Sequence, residues 1–405
     1  MAKVSIVKIP EVPLDEEVFE GVERSISMLG GAERFASAGN KVFIKPNILS
    51  SSFVGITDRR VTYAVAKIFK DLGCDVSIGE NPLVATKSSE VFEKTMYPEV
   101  AKRAGVKFVD LRRDDQEVVK VPNARGCETL KVAKSILDAD LVVSIPAMKV
   151  HGMCFVTLSL KNMWGTIPPT QRQIGHLKSL HWTLAELNKI IGAKLAIIDG
   201  VTAVGYRGAF PQGLIIAGDD PVAADTITTM RMGLDPRRIE HIRYAHELGV
   251  GEMDQKNIEL IGAKLEDIVK EGKNLGKRNF VEPWMKPTRL VARLENVRVV
   301  NGNACDSCLR KLNNAIKAVG LRKLAKGPQM TVLIGPNAEP VEGGKLLIVG
   351  HCLRRYADRG VFIDYCSAYD PDIQQGIEVI LGERKEAKML WDELLQKTEK
   401  GLPGS

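Results

Sequence analysis

Cys305, Cys308, Cys352 and Cys366 are the residues whose type and spacing point most directly to chemistry. The first two form a Cys-x-x-Cys at the expected mouth of a helix, where backbone N–H groups and the positive dipole end favour thiolates. The other two follow separate predicted strands, Leu346–Val349 and Val361–Ile363, so one metal site can gather all four. Structural zinc usually takes two close-spaced pairs, whereas here there is one pair and two isolated cysteines. That pattern fits iron-sulfur ligation, with a 4Fe-4S cluster as the expected cofactor and zinc as the alternative. The plainer reading is a redox dithiol at Cys305/Cys308 with two ordinary core cysteines. Arg310, Arg354, Arg355 and Arg359 flank the ligands, as a net negative cluster requires. Cys74, Cys127 and Cys154 read as small buried hydrophobes.

A second set falls where predicted strands end: Lys45 and Asn47, Lys149 and His151, Lys161 and Asn162, then Arg172, His176, Asp199 and Asp220. Ligands of open α/β sheets bind outside the carboxyl ends of the strands. Lys and Arg at that rim suit a substrate bearing carboxylate or phosphate, and His suits proton transfer near neutral pH. His151, Lys149, Lys161 and His176 are the catalytic candidates; Lys45, Asn47, Asn162, Arg172, Asp199 and Asp220 are the substrate-binding ones. Each has a plainer reading alone: Lys45 and Lys161 as solvated strand ends, Asn47 and Asn162 as turn formers, Asp220 as a helix cap, His176 or His181 as surface residues. No Gly-x-Gly-x-x-Gly loop, Walker loop or nucleophile elbow follows a strand.

The elements that must position these residues alternate. Strands are predicted at Val4–Ile9, Val42–Ile44, Val76–Ile78, Val106–Leu111, Leu141–Ile145, Lys194–Ile198 and Leu214–Ala217. Helices are predicted at Leu14–Leu29, Asp58–Leu72, Ser89–Ala104 and from Pro221 to Met232, the last with Asp220 as cap. The fold class is therefore α/β, a mostly parallel sheet with helices on both faces, plus a smaller α/β C-terminal domain carrying the four-cysteine site. In that domain, strands are predicted at Val297–Val300, Thr331–Ile334, Leu346–Val349 and before Cys366, and helices at Leu309–Val319 and Asp372–Leu381. Pro283, Trp284, Met285 and Pro287 break the periodicity, so the domains expected are 1–285, 286–385 and a helical tail over 386–405.

Apolar residues at 44% and charged residues at 26% are ordinary for folded proteins and exclude a disordered class. A net charge of +7, spread over 57 basic and 50 acidic residues without a dominant basic run, argues against nucleic acid as a partner. No apolar run approaches the roughly 20 residues a bilayer requires, so no membrane is expected. Seven cysteines without a secretion signal favour reduced thiols and a cytoplasmic location.

These segments resemble the family catalogued as domain of unknown function 362. The resemblance rests on Lys45-Pro46-Asn47, the stretch Lys149–Gly152, the stretch Ser159–Asn162 with Gly165 and Pro168, and the stretch Gly218–Ala223 with Asp225. It implies the α/β fold over most of residues 1–262. Members of the family are often associated with iron-sulfur domains of ferredoxin type. This chain lacks their clustered cysteine run, so its four ligands are assigned from this sequence alone.

The leading expectation is an iron-sulfur enzyme whose cluster domain faces the basic rim and delivers an electron to, or acts as Lewis acid on, a small anionic substrate. His151 or His176 would move protons while Lys45, Lys149, Lys161 and Arg172 hold the anion. The rivals are an electron-transfer or cluster-handling protein that docks a redox partner protein, and a zinc-stabilised binding protein. Assembly into a homo-oligomer is compatible with each.

Overall fold

In the computed structural model, residues 1–83, 85–280, 290–366 and 368–387 are described. They divide into two units. The larger comprises Met1–His151, Val156–Arg172 and His181–Val281; the smaller comprises Gly152–Phe155, Gln173–Leu180 and the described part of Glu282–Ser405. The expected boundary at 285/286 and most of the expected tail lie outside the described residues.

The strands of the larger unit are β1 Ala2–Lys8, β2 Lys41–Pro46, β3 Asp75–Glu80, β4 Lys107–Asp110, β5 Gln116–Lys120, β6 Thr129–Ala133, β7 Leu141–Ile145, β8 Ala147–His151, β9 Phe155–Thr157, β10 Leu195–Gly205, β11 Gly208–Gly218 and β12 Ile258–Ile261. All but the β5–β6 hairpin join one sheet, whose main path runs β12-β1-β11-β10-β7-β2-β3-β4. Pairing along β10-β7-β2-β3-β4 is parallel, while β11 runs antiparallel to both β1 and β10. The sheet is thus mixed α/β and mostly parallel. β2 and β7 are buried along nearly their whole length, because parallel strands covered by helices on both faces carry continuous rather than alternating apolar residues. The helices Asp15–Met28 and Arg59–Asp71 supply one cover, contributing Val18, Val22 and Ile26 and then Val61, Val65 and Phe69 to the same core.

Two expectations required correction. The segment expected as one helix over Ser89–Ala104 is two helices, Ser88–Thr95 and Tyr97–Ala104, broken at Met96, whose φ of 56° is left-handed. Pro98 cannot donate the hydrogen bond that would continue the first helix, and it suits the opening turn of the second. The strand expected to end at Ile198 runs on to Gly205 and turns back as β11, since the antiparallel pairing continues past a bulge between Gly200 and Thr202.

The smaller unit is built on a parallel sheet of β13 Val297–Asn301, β14 Met330–Ile334, β15 Lys345–Val349 and β16 Val361–Ile363, in that order. The helices Asp306–Val319 and Asp370–Ile380 pack on it through Leu312, Ile316, Ile373 and Ile377. Among the described residues of the chain no helix is long and apolar enough to cross a membrane.

Candidate functional site

In the larger unit the chain moves outward from β2 to β3 and β4, then returns to place β7 on the other side of β2. The strand order therefore reverses between β2 and β7, and open α/β sheets open a ligand crevice at such a point, outside the carboxyl ends. Register sets Lys45 beside Ser144 and Pro46 beside Ile145 across that junction. The polar residues after the strands meet there.

Lys45 is completely buried, which overturns its reading as a solvated strand end. Its Nζ lies 2.7 Å from Glu80 Oε2, donates to the Pro46 carbonyl at 2.8 Å and reaches Asn162 Oδ1 at 3.4 Å. Burial lowers its pKa and the Glu80 carboxylate opposes that shift. Glu80 is held in turn by the backbone N–H of Ile48 at 2.9 Å and of Asn81 at 2.8 Å. Asn162 donates to the Lys45 carbonyl and the Ser144 hydroxyl, and its Oδ1 accepts from Asn47 Nδ2 at 3.3 Å. Asn47 and Asn162 are thus buried connectors, not turn formers.

Lys149 completes the cluster. Its Nζ donates to Asn47 Oδ1 at 2.6 Å and to the Gly55 carbonyl. Burial, with the Lys161 ammonium nearby, brings its pKa down to about 8. The Lys161 ammonium sits 5.5 Å from the centre of the Trp164 ring. Arg172 is buried, donates to the Asn81 carbonyl at 3.0 Å and has its pKa lowered to about 10 by burial. Among the described residues its Nε finds no hydrogen-bond partner.

Two further residues fix this arrangement. Asp225, buried in the helix Pro221–Arg231, accepts from the backbone N–H of Ser159 at 2.7 Å and Leu160 at 2.9 Å, fastening the turn that carries Lys161 and Asn162. Burial pushes its carboxyl up to about 8. Gly165 leaves no room for a side chain, because a Cβ there would lie 2.1 Å from Glu80 Oε1 and 2.9 Å from Lys45 Nζ. Gly165→Ala should therefore destabilise the protein by about 1–3 kcal/mol through overpacking, measured as a shift in chemical unfolding. An unchanged unfolding curve would contradict this packing.

Asp199 and Asp220 are engaged elsewhere. Asp199 accepts from the backbone N–H of Asp58 at 2.6 Å and Val201 at 3.0 Å; burial and then the Asp58 carboxylate push its pKa up to about 7. Asp220 is the cap of the helix Pro221–Arg231, accepting from Val222, Ala223 and Glu252, so its plainer reading holds. His151 ends β8, and His176 belongs to a segment of the smaller unit. His181 is no surface residue: it is buried, stacked on His241 and 3.0 Å from Glu240. Glu80, two residues past the predicted strand Val76–Ile78, is a member of the cluster that sequence reasoning missed, since its partner depends on strand register.

In the smaller unit, register aligns Asn301, Ile334, Val349 and Ile363 along one edge. Cys305, Cys352 and Cys366 each follow one of those ends by three or four residues. Cys305 caps the helix Asp306–Val319 and Cys308 lies in its first turn; both are buried. The Cys352 and Cys308 sulfurs lie 3.5 and 4.0 Å from the point where a Cβ on Gly350 would stand, so these two loops meet. The Cys352 and Cys366 loops are tied by the His351 N–H, which bonds the Tyr365 carbonyl at 3.2 Å, and by His351 Nδ1, 2.7 Å from Asp364 Oδ1. Asn303 at φ 61° and Tyr365 at φ 102° hold left-handed backbone beside the cysteines, a strain found at functional sites. The nearby cation is Lys311, whose charge faces Cys308 and Cys305 and whose pKa burial lowers. Of the expected arginines, Arg354 pairs with Asp364 at 3.5 Å and Arg355 bonds the Cys352 carbonyl at 3.0 Å.

A doubly wound α/β domain with a lysine–asparagine cluster at its switch point is the class these features define. Residues 42–230 match the model of the family described as Domain of unknown function (DUF362). Over 238 residues it is 27% identical to the thylakoid-associated protein sll1697 of Synechocystis sp. (strain ATCC 27184 / PCC 6803 / Kazusa), spanning 55% of this chain and 72% of that protein. The structure of the lactate racemase apoprotein from Thermoanaerobacterium thermosaccharolyticum aligns with 94% of this chain and 81% of its own, at 11% identity and a TM-score of 0.38.

Proposed function

We propose that this protein is a cytoplasmic iron-sulfur enzyme that binds a small carboxylate- or phosphate-bearing metabolite at the lysine–asparagine cluster of its larger unit. The observation that carries the reading is a charge imbalance in a buried place. Lys45, Lys149 and Arg172 are all buried and all face the Glu80 carboxylate, which Lys45 already engages at 2.7 Å. Buried charge is tolerated only when paired, and a bound anion would supply the missing partner. The Arg172 Nε donor, buried without an acceptor among the described residues, supports the same conclusion.

Cys305, Cys308, Cys352 and Cys366 are the residues that would hold a 4Fe-4S cluster. The fit rests on the donor chemistry: two thiols at a helix mouth, two after neighbouring strand ends, and a Gly350 whose missing Cβ leaves space beside two of the sulfurs. When bound, such a cluster supplies one-electron transfer or a Lewis-acidic iron. The chain's own residues do the rest. Lys161 and Arg172 hold the anion, Asn47 and Asn162 orient it, and His151, at the end of β8, moves protons.

Titration of the anaerobically purified protein with inorganic phosphate and with small oxo acids, followed by calorimetry, tests the anion site. Saturable binding is expected, weakening with added chloride and falling by about tenfold or more in Lys161→Ala, the loss of one charge-assisted hydrogen bond. No binding at millimolar anion, or unaltered binding in Lys161→Ala, would refute it. Once a substrate is known, His151→Ala should lose turnover while retaining binding.

A further inference from the structure

We propose that His181, Glu240 and His241 form a binding site for a divalent transition-metal ion of the zinc type, inside the larger unit and separate from both the cysteines and the anion cluster.

The three donors come from the starts of two helices. His181 is the second residue of the helix Leu180–Ile191, and Glu240 and His241 are the first two of the helix Glu240–Glu247. All three are buried, with exposures of 2% for His181, 7% for Glu240 and 0% for His241. Nε2 of His181 lies 3.0 Å from Oε2 of Glu240, and the two imidazole rings are near-parallel, with centroids 5.8 Å apart. A ring nitrogen of His181 and one of His241 come within 4.8 Å of each other. Donors that share one tetrahedral zinc, each about 2.0–2.2 Å from the ion, stand roughly 3.3–3.6 Å apart. The first pair is already close to that spacing, and the second reaches it through a side-chain adjustment of about 1 Å.

His241 is the residue that points to a ligand. A hydrogen bond accounts for His181 and Glu240 between themselves, but it does nothing for the third buried group beside them. Among the described residues neither ring nitrogen of His241 has a hydrogen-bond partner. In either neutral tautomer the ring carries one N–H and one lone pair, and buried polar atoms of this kind mark a place where an ion or a water binds. Burial, and then the charges of His181 and Lys161, hold the His241 pKa well below the imidazole range, which keeps the lone pair available.

The donor set favours the ion. Two imidazoles and a carboxylate are what zinc takes in sites with three protein ligands and an open fourth position. Both helix starts and Lys161 oppose a cation, while the Glu240 carboxylate offsets part of that. Each helix end weakens binding by about fivefold at most, against the roughly seven or more powers of ten typical of structural zinc. Bound there, the ion would pin the starts of both helices to one point.

The test is zinc analysis of the full-length chain carrying Cys305→Ser and Cys308→Ser, which removes the cysteine site from the measurement. After incubation with Zn²⁺ and gel filtration, about one ion per chain should be retained, with histidine scattering in its X-ray absorption spectrum. His241→Phe, which puts an apolar ring in the same buried space, and His181→Gln should each lower the retained zinc by about tenfold or more. Zn²⁺ should also raise the thermal midpoint of the cysteine variant and leave it unchanged once His241→Phe is added. No retained zinc, or equal retention with and without the histidine substitutions, would overturn the proposal and leave His241 with a buried water. If the variants misfold, X-ray absorption of the zinc-loaded parent chain decides: histidine ligation upholds the site and an all-sulfur shell overturns it.

Discussion

Serine in place of Cys308 or Cys352 should empty the smaller unit of iron and acid-labile sulfide, removing the visible absorption of thiolate-bound iron. The reason is convergence: these two sulfurs come within 4.0 Å of one point beside Gly350, so losing either would take a donor from the proposed cluster site. Cys74→Ser is the control, because that thiol is buried in the core of the other unit and bonds the Ser37 carbonyl. Its iron and sulfide content should match the parent. Metal held at four thiolates also contributes folding energy, so the ligand variants should lose stability in the smaller unit. Zinc without sulfide in the parent protein would establish a structural metal and refute the cluster; no metal of either kind would return Cys305 and Cys308 to the status of a dithiol.

The second large effect belongs to the buried ion pair. Lys45→Met should cost about 3–5 kcal/mol in equilibrium unfolding, because it removes the direct ion-pair partner of the buried Glu80 carboxylate and leaves it with backbone N–H bonds. Removing both charges, in Lys45→Met with Glu80→Gln, should recover much of that loss, since the cost lies in the unpaired charge and not in the missing pair. A single substitution costing less than about 1 kcal/mol would show the pair to be energetically idle.

The parts of this site that were legible in the sequence are those fixed by local rules. Lys45-Pro46-Asn47 and the Lys149–Gly152 stretch stood out because polar residues directly after apolar strand runs fall at a sheet edge whatever the topology. Asp220 was legible for the same local reason, as an Asp before Pro, although the structure assigns it to the helix cap. What escaped was everything set by register between distant strands. Glu80 becomes the counterion of Lys45 only because β3 pairs beside β2, and Asp225 reaches the Ser159 turn across the fold. Side-chain burial of Lys45 was also out of reach, since composition places lysine outside by default. In the smaller unit the four cysteines were individually evident, but their common edge follows from four parallel strands in register, and Lys311 was overlooked in favour of nearby arginines.

The position of β1 has a consequence for biosynthesis. Its residues lie between two partners, Val4 opposite Gly218 on one flank and Ala2 opposite Ile258 on the other. Translation must therefore pass Ile261 before this strand has both neighbours, and until then its apolar residues wait unpaired. Closing so long a loop is slow, which makes the nascent chain a natural client for holding chaperones.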